Sequence, residues 1–371
     1  MSGPVAPDPP LPDPAPRFPD ERGGVAILGC GSIAHTAHLP AYAAHDVGVV
    51  GVWSRSPATT ARTRERFPSV RRVYDDPDAL LEDPAVRIVD LATGPSDRVD
   101  WIERAVGAGK HVLAQKPLVG TAADLARLRP VLRRATRTGL RVAVNHNGRW
   151  APPWRLATLL VRAGAIGEVV GVTHLHDKPL PPLAGTPFDR VPHMLLSDYL
   201  VHWLDITQCW LDLSGGATVV ATDSRVPGQP PGTRNPWSAT VHVTSARGST
   251  ASVRIVGDVR AASPGCPFWI HGTEGTLRGS ILGGSDRLWL ERDGRTRELP
   301  LRGAWFVDGF AGTLGELMCA LAEDREPENS AASALATVEL VLASVESADR
   351  GGAPVRLPPG DAATGRDGGS R

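Results

Sequence analysis

Short runs of consecutive apolar residues punctuate the first 146 positions, and each is followed by a polar segment of helical period. The run at 25–28 is unbroken, and that at 47–53 is nearly so. Further strand signals fall at 72–74, 88–92, 111–114 and 142–144. Continuous short apolar runs mark strands buried on both faces, as in a parallel sheet. Between them the pattern predicts helices in a stretch ending near Ala44 and at 57–66, 97–108 and 121–138. Strands alternating with helices imply βαβ units and a doubly wound parallel sheet. After Asn145 the alternation stops. A helix is predicted over 154–163, a strand over 168–176 and a mostly apolar helix over 195–213. From 217 to 301, β-branched runs alternate with Gly, Pro, Asn and Asp turns, which predicts a largely antiparallel sheet. Two more helices follow, near 305–322 and 331–349. The fold class is therefore α/β, with a parallel-sheet domain over 24–146 and a second α+β domain over 147–357.

The flanks differ from this body. Residues 1–23 are rich in Pro, Asp and Ala, which predicts a disordered tail of polyproline character. Residues 358–371 read as a second disordered tail. The N-terminus has neither a basic start nor an apolar core, so it does not read as a signal peptide. No apolar run approaches the ~18 residues of a membrane span. Formal net charge is zero, which points away from nucleic acid or an anionic membrane as partner. Cys30, Cys209, Cys266 and Cys319 are scattered without a CxxC pair, which suits free thiols in a reducing cytoplasm.

Chemistry first appears in the turn after the first strand. Gly29-Cys30-Gly31-Ser32-Ile33-Ala34 fits G-x-G-x-x-A, between a buried strand and a helix. Gly29 allows the tight turn, Gly31 lets the backbone approach a pyrophosphate, and Ala34 lets the helix pack closely. Free N–H groups at the helix start, from Ser32 and Ile33 onward, then face the phosphates. This predicts a Rossmann dinucleotide-binding domain. At the end of the second strand, an acid would bond the adenosine ribose and select NAD. Ser54 and Arg55 stand there instead, and a hydroxyl beside a guanidinium suits a 2′-phosphate, so the expectation favours NADP over NAD.

Lysine is nearly absent. Of 40 Lys and Arg residues, only Lys110, Lys116 and Lys178 are lysine. Lys116 closes a strand, where a compact charge with a movable pKa is hard to replace by arginine. In the second domain, Asp198, His202 and Asp205 fall within about 60° of one another on a helix that is otherwise apolar. Ionisable groups on a buried helix need partners or a wet cleft. The stripe reads as an active-site wall, with a structural Asp–His hydrogen bond as the plainer alternative. His174 and His176 share a strand face, with Asp177 next to them. No third ligand at a metal-binding spacing accompanies them, so no metal is expected. His176 and His193 are candidates to line the cleft.

Taken in order, these pieces resemble the glucose–fructose oxidoreductase / inositol dehydrogenase / MocA-like (Gfo/Idh/MocA) family. The resemblance runs from about Val25 to Leu357. It rests on the glycine loop, on Leu91-Ala92-Thr93-Gly94-Pro95, and on Ala108-Gly109-Lys110-His111-Val112-Leu113-Ala114-Gln115-Lys116-Pro117, similar to the family's AGKHVxxEKP. It also includes Gly164-Ala165-Ile166-Gly167-Glu168-Val169, the Asp198-x3-His202-x2-Asp205 helix, and Gly272-Thr273-Glu274-Gly275-Thr276-Leu277. It implies hydride transfer between NAD(P) and a hydroxyl-bearing carbon of a sugar or cyclic polyol. It implies a second-domain sheet that often forms a homo-oligomer interface. Lys116, Asp198 and His202 take the catalytic positions, and Thr93 and Gln115 join Lys116 among the cofactor contacts. On chemical grounds His202 is the general base, Lys116 steadies the substrate oxygen, and Asp198 orients or relays. Arg149, Trp150, His176 and Asp205 are expected to face a small-molecule substrate. The chain departs from the pattern at Gln115 (usually Glu), Arg98 (often His), Leu200 (often Gly) and Ser54-Arg55. A non-catalytic NAD(P)- or sugar-binding regulator and a redox-neutral NAD-dependent glycosidase are the alternative classes.

Overall fold

A computed structural model describes residues 11–181, 183–257, 265–282, 284 and 286–360. The apolar runs of the first half become β1 (Val25–Leu28), β2 (Val49–Trp53), β3 (Val70–Val73), β4 (Ile88–Leu91), β5 (His111–Gln115) and β6 (Val142–Asn145). They lie parallel in the order β3-β2-β1-β4-β5-β6. β1 and β4 are buried at every residue, which is why they read as continuous apolar runs; Asp90, inside β4, is the one charged exception. Helices α1 (Leu39–Ala44), α2 (Pro57–Arg66), α3 (Pro77–Glu82), α4 (Arg98–Gly107) and α5 (Ala122–Arg137) connect them. Local chemistry starts three of these helices. Ser56, Asp76 and Thr121 each accept a backbone N–H of the first turn, satisfying donors that the helix itself leaves free. α3 was not expected; six residues are too few to display a period.

The second half gives α6 (Pro152–Arg162), β7 (Val169–His176), α7 (Val201–Trp210), β8 (Ala217–Ser224), β9 (Ser238–Ser245), β10 (Thr250–Val256), β11 (Cys266–Gly272), β12 (Thr276–Ile281), β13 (Arg287–Arg292), β14 (Arg295–Glu298), α8 (Phe310–Ala322), α9 (Ala331–Asp349) and β15 (Val355–Leu357). The strands form one sheet in the order β14-β13-β12-β11-β7-β10-β9-β8-β15. Pairing is antiparallel except between β7 and β10. Alternate residues such as Val172, His174 and His176 point into a core with α6 and α7, while Thr240 and His242 lie exposed on the other face.

Three expectations need correction. The helix expected over 195–213 is two pieces. A wide π-type turn spans Leu195–Tyr199, Leu200 breaks the geometry, and α7 follows. The domain division at 146 does not hold for packing. Phe310, Ala311, Leu314, Leu317 and Met318 of α8 join the core on one face of the parallel sheet, and Ala331, Ala334 and Val338 of α9 join the core on the other. Residues 11–23, read as part of a free tail, run in extended form against the fold. Phe18 packs against the first-domain core and Leu11 against the second. Gly315 of α8 makes room for this segment, since a Cβ there would stand 2.2 Å from the Arg17 carbonyl oxygen. Residues 1–10 and 361–371 of the expected tails lie outside the described residues.

Candidate active site

The C-terminal ends of the parallel strands bring the first set of predicted residues together. Gly29 turns the chain at φ 103°, and its N–H donates to the Trp53 carbonyl at 2.8 Å. A Cβ on Gly29 would meet the Ala92 carbonyl at 2.9 Å, so the strand end and the next loop approach as only glycine permits. Gly31 faces open space, with no atom within 4 Å of where a Cβ would be. Beyond it, Ala34–His38 form a wide π-type turn that runs into α1. A groove of about 360 Å³ opens here, lined by Gly29, Gly31, Ser54, Arg55, Thr93 and Trp101 among others. Arg55 is exposed, and Ser54 bonds the Ser56 carbonyl. The Thr93 hydroxyl is buried and has no partner among the described residues. An open glycine cradle at a helix start and an orphaned buried hydroxyl on the opposite loop are what a pyrophosphate-linked cofactor would occupy.

Lys116 directly follows β5 and is joined to Pro117 by a cis peptide bond. Its Nζ donates to Asp198 Oδ1 at 2.8 Å and to the Asp198 carbonyl at 3.2 Å. The contact joins residues 82 positions apart, from the two domains. Asp198 sits on the wide turn before α7, and His202 on the first turn of α7. The His202 ring meets Trp305 edge-on, at 5.2 Å between centroids, and its Nδ1 is buried without a partner among the described residues. Burial, then the charge of Lys116 and the neighbouring His146, hold the His202 imidazole well below the usual histidine range, with Asp205 opposing them. His202 is therefore neutral at pH 7, with a lone pair available.

The structure draws other predicted substrate residues away from the cleft. Arg149 and Asp205 are both buried and face each other, Nε to Oδ2 at 2.8 Å and Nη2 to Oδ1 at 2.7 Å. Thr337 also donates to Asp205 at 2.9 Å, and Arg149 donates to the Glu328 carbonyl at 2.6 Å. Burial acts to raise the Asp205 carboxyl, but Arg149 outweighs it and the group falls to about 2. Trp150 is buried against Gly312 and beneath the Arg155 guanidinium. His176 is buried on β7, with Nε2 3.0 Å from the Tyr199 hydroxyl. His193 bridges Asp223 and Asp349 at 2.9 Å each. Gln115 turns its amide inward. Its Oε1 accepts the Lys116 N–H at 2.7 Å and its Nε2 lies 3.0 Å from His38 Nε2. Arg149, Asp205, His193 and Gln115 thus find their partners inside the protein, as buried polar groups usually do, while His176 Nδ1 stays buried without one among the described residues.

Two residues gain weight that the sequence did not give them. Arg98, noted only as a departure from the family pattern, is fully buried and donates to both the Thr93 and Pro117 carbonyls. It ties the groove-side loop to the turn that carries Lys116. Burial draws it down to about 10, with Asp198 opposing. Trp305, just ahead of α8, packs on His202 and donates to Asn147 Oδ1 at 2.7 Å. Neither role has a local sequence signal, because each depends on contacts across long separations. Among the described residues no cluster of three or more His, Cys, Asp or Glu could hold a metal.

Comparison with known proteins agrees with this architecture. Residues 24–146 match the family model described as "Oxidoreductase family, NAD-binding Rossmann fold", and residues 154–278 match the "GFO/IDH/MocA C-terminal domain". The dTDP-3,4-didehydro-2,6-dideoxy-alpha-D-glucose 3-reductase of Saccharopolyspora spinosa is 35% identical over 167 residues. That stretch is 44% of this chain and 47% of the relative, so the match spans less than half of the reductase. The D-apiose dehydrogenase of Paraburkholderia graminis is 27% identical over 341 residues, 88% of each chain. An oxidoreductase from Agrobacterium radiobacter, solved with NAD+, L-tartaric acid and magnesium, superimposes with a TM-score of 0.78 at 23% identity, over 90% of this chain and 98% of its own. Levoglucosan dehydrogenase, solved with NADH and levoglucosan, gives 0.77 at 21% identity, over 91% and 100%. At these identities the structural likenesses speak for the fold alone.

Proposed function

The chain belongs to the Gfo/Idh/MocA oxidoreductase family, and from that premise we propose that it transfers a hydride between NAD(P) and a hydroxyl-bearing carbon of a sugar, cyclic polyol or related keto compound. The observation that carries this reading is the Lys116–Asp198 contact, with His202 one helical turn further on, at the strand ends beside the glycine cradle. Open α/β sheets bind their ligands at that edge. Two relatives named for sugar reduction or sugar oxidation agree with it.

The bound nicotinamide supplies or accepts the hydride. The chain's own residues do the rest. Lys116 donates to the substrate oxygen and stabilises the negative charge that develops there. Asp198 fixes the Lys116 Nζ through its carboxylate and carbonyl, so the charge is positioned before substrate arrives. His202, neutral at pH 7, takes the hydroxyl proton during oxidation and returns it during reduction. Arg98 holds the Lys116-Pro117 turn against the Thr93 loop, which keeps the lysine and the groove in register.

Ser54 and the exposed Arg55 at the groove support NADP over NAD. The outer face of the large sheet, where Thr240 and His242 are exposed, is the proposed surface for a homo-oligomer. Four free cysteines suit a reducing compartment such as the cytoplasm. The test is a nicotinamide absorbance assay over sugars, inositols and keto-sugars with both cofactors. Lys116→Ala and His202→Ala each lower turnover by roughly 10²-fold or more, and His202→Ala leaves cofactor binding intact. Near-parental turnover in both variants rejects the assignment. Tight cofactor binding without any turnover indicates the regulator instead. Arg55→Ala lowers affinity for NADPH and leaves NADH unchanged; an equal effect on both rejects the NADP preference.

A further inference from the structure

Asp90 is a charged residue in the middle of a buried parallel strand, and its environment answers that charge in one direction only. His38 Nδ1 lies 2.7 Å from Asp90 Oδ2, and the Tyr42 hydroxyl donates to the same oxygen at 2.6 Å. Asp90 Oδ1 has no partner among the described residues, and both His38 and Asp90 are wholly buried. On the far side of the ring, His38 Nε2 faces two side-chain amides, Gln115 Nε2 at 3.0 Å and Asn145 Nδ2 at 3.4 Å.

The neighbours settle which amide atoms are which. Gln115 Oε1 already accepts the Lys116 N–H, and Asn145 Oδ1 already accepts the Thr313 hydroxyl at 3.0 Å. Both amides therefore present N–H groups to His38 Nε2, which must be the unprotonated nitrogen. The ring proton sits on Nδ1 and is donated to Asp90. The chain runs Asp90, His38, Gln115, Lys116 backbone. It begins on β4, passes the turn before α1, and ends on β5 at the lysine proposed to hold substrate oxygen.

We propose that Asp90 and Gln115 form a matched pair, read through His38, that positions Lys116. The carboxylate that the family motif carries at 115 is exchanged here for a carboxylate on the adjacent strand, where Asp90 pairs in register with Leu113. Gln115 fits because an amide both accepts from the Lys116 N–H and donates to an unprotonated His38 Nε2, which an ionised carboxylate cannot do. An ionised glutamate at 115 requires a proton on Nε2 while Asp90 still requires one on Nδ1. That places a doubly protonated ring between two carboxylates. The groups around the ring come from β4 (Asp90), α1 (Tyr42), β5 (Gln115), β6 (Asn145) and α8 (Phe310, whose ring lies 4.9 Å away). Among these Asp90 is the only charged side chain. The inference takes the role of Lys116 from the proposed function; its structural core does not.

The test is a charge exchange in the full chain. Q115E alone melts roughly 2–5 °C below the parent, with the gap widening from pH 6 to pH 8 as the second ring proton becomes harder to hold. D90N alone also loses stability, because a neutral oxygen replaces the charged acceptor of Nδ1–H and Tyr42 and the amide N–H takes the position of the partnerless Oδ1. The double variant D90N/Q115E moves the carboxylate across the ring and inverts the tautomer, so it melts closer to the parent than Q115E does. Where the parent turns over substrate, turnover recovers in the same order. Additive losses in the double variant, or parental melting of Q115E at pH 8, overturn the proposal. If Q115E does not fold, 15N spectra of histidine-labelled parent decide, with H38Q to assign the signal. A proton on His38 Nε2 overturns the pairing, and a proton on Nδ1 supports it. A parent that binds neither cofactor refutes the proposed function while the melting cycle still judges the pair.

Discussion

Mild acid should destabilise this protein, and buried histidines, three of them together with His111 and His202, contribute to the slope. His146, His174 and His176 are each about 1% exposed. Burial drives all three down, to about 4, about 3 and about 4 respectively. The unfolded chain titrates its histidines near 6.5, so between roughly pH 6.5 and 4 it binds protons that the folded chain refuses. Stability is therefore complete above the unfolded value and is lost as pH falls. For one such group at pH 5.5 the loss is about 1.4 kcal/mol, and for three about 4 kcal/mol. That is a large share of a typical total of roughly 5–15 kcal/mol. His174 isolates the effect. Neither of its ring nitrogens has a partner among the described residues, and Trp154, Trp210 and Phe268 surround it. His174→Leu thus removes a titrating group without removing a hydrogen bond. Melting by circular dichroism at pH 7 should give similar Tm values for parent and variant. At pH 5.5 the variant should gain about 2 °C relative to the parent. A parental Tm that is flat from pH 7 to 5.5, or a variant that falls as steeply as the parent, refutes the reasoning.

Other outcomes follow from the site. Asp205→Ala strands the buried Arg149 guanidinium, so it should cost about 3–5 kcal/mol in urea unfolding. Parental stability with a raised substrate KM would return Asp205 to the cleft. In the oxidative direction, the acid limb of kcat/KM should lie below the ordinary histidine value of about 6.5, because His202 is held low. A limb at or above that value would exclude His202 as the base. Gly315→Val should expel the extended segment from α8 and speed tryptic cleavage at Arg17 and Arg22; unchanged digestion would mean the segment is not held there.

The parallel sheet was legible because its strands are buried on both faces and so become apolar runs. The catalytic candidates were legible because Lys116, Asp198 and His202 stand in recognisable local settings. What the sequence hid were partnerships between distant residues. Asp205 lies on the same stripe as His202, and a helical projection cannot tell a carboxylate facing a cleft from one paired with Arg149. The π-type turn at Leu195–Tyr199 was hidden for a similar reason, since one widened turn barely alters the apolar pattern. Gln115 read as a departure from the family motif. Its partner Asp90 sits one strand away, inside an apolar run, with no local signal to mark it.

α8 and α9 come last in the chain, yet they close both faces of the first sheet. The nucleotide-binding half is thus not a portable module. A fragment ending at Asn145 or Trp150 would expose to water the surface that Phe310, Leu314 and Val338 cover. A chimera that exchanges the substrate half for a relative's would have to keep these two helices with the first sheet or supply the surface they match. Recombination within this family should then tolerate breakpoints on the large sheet far better than a single cut between the halves.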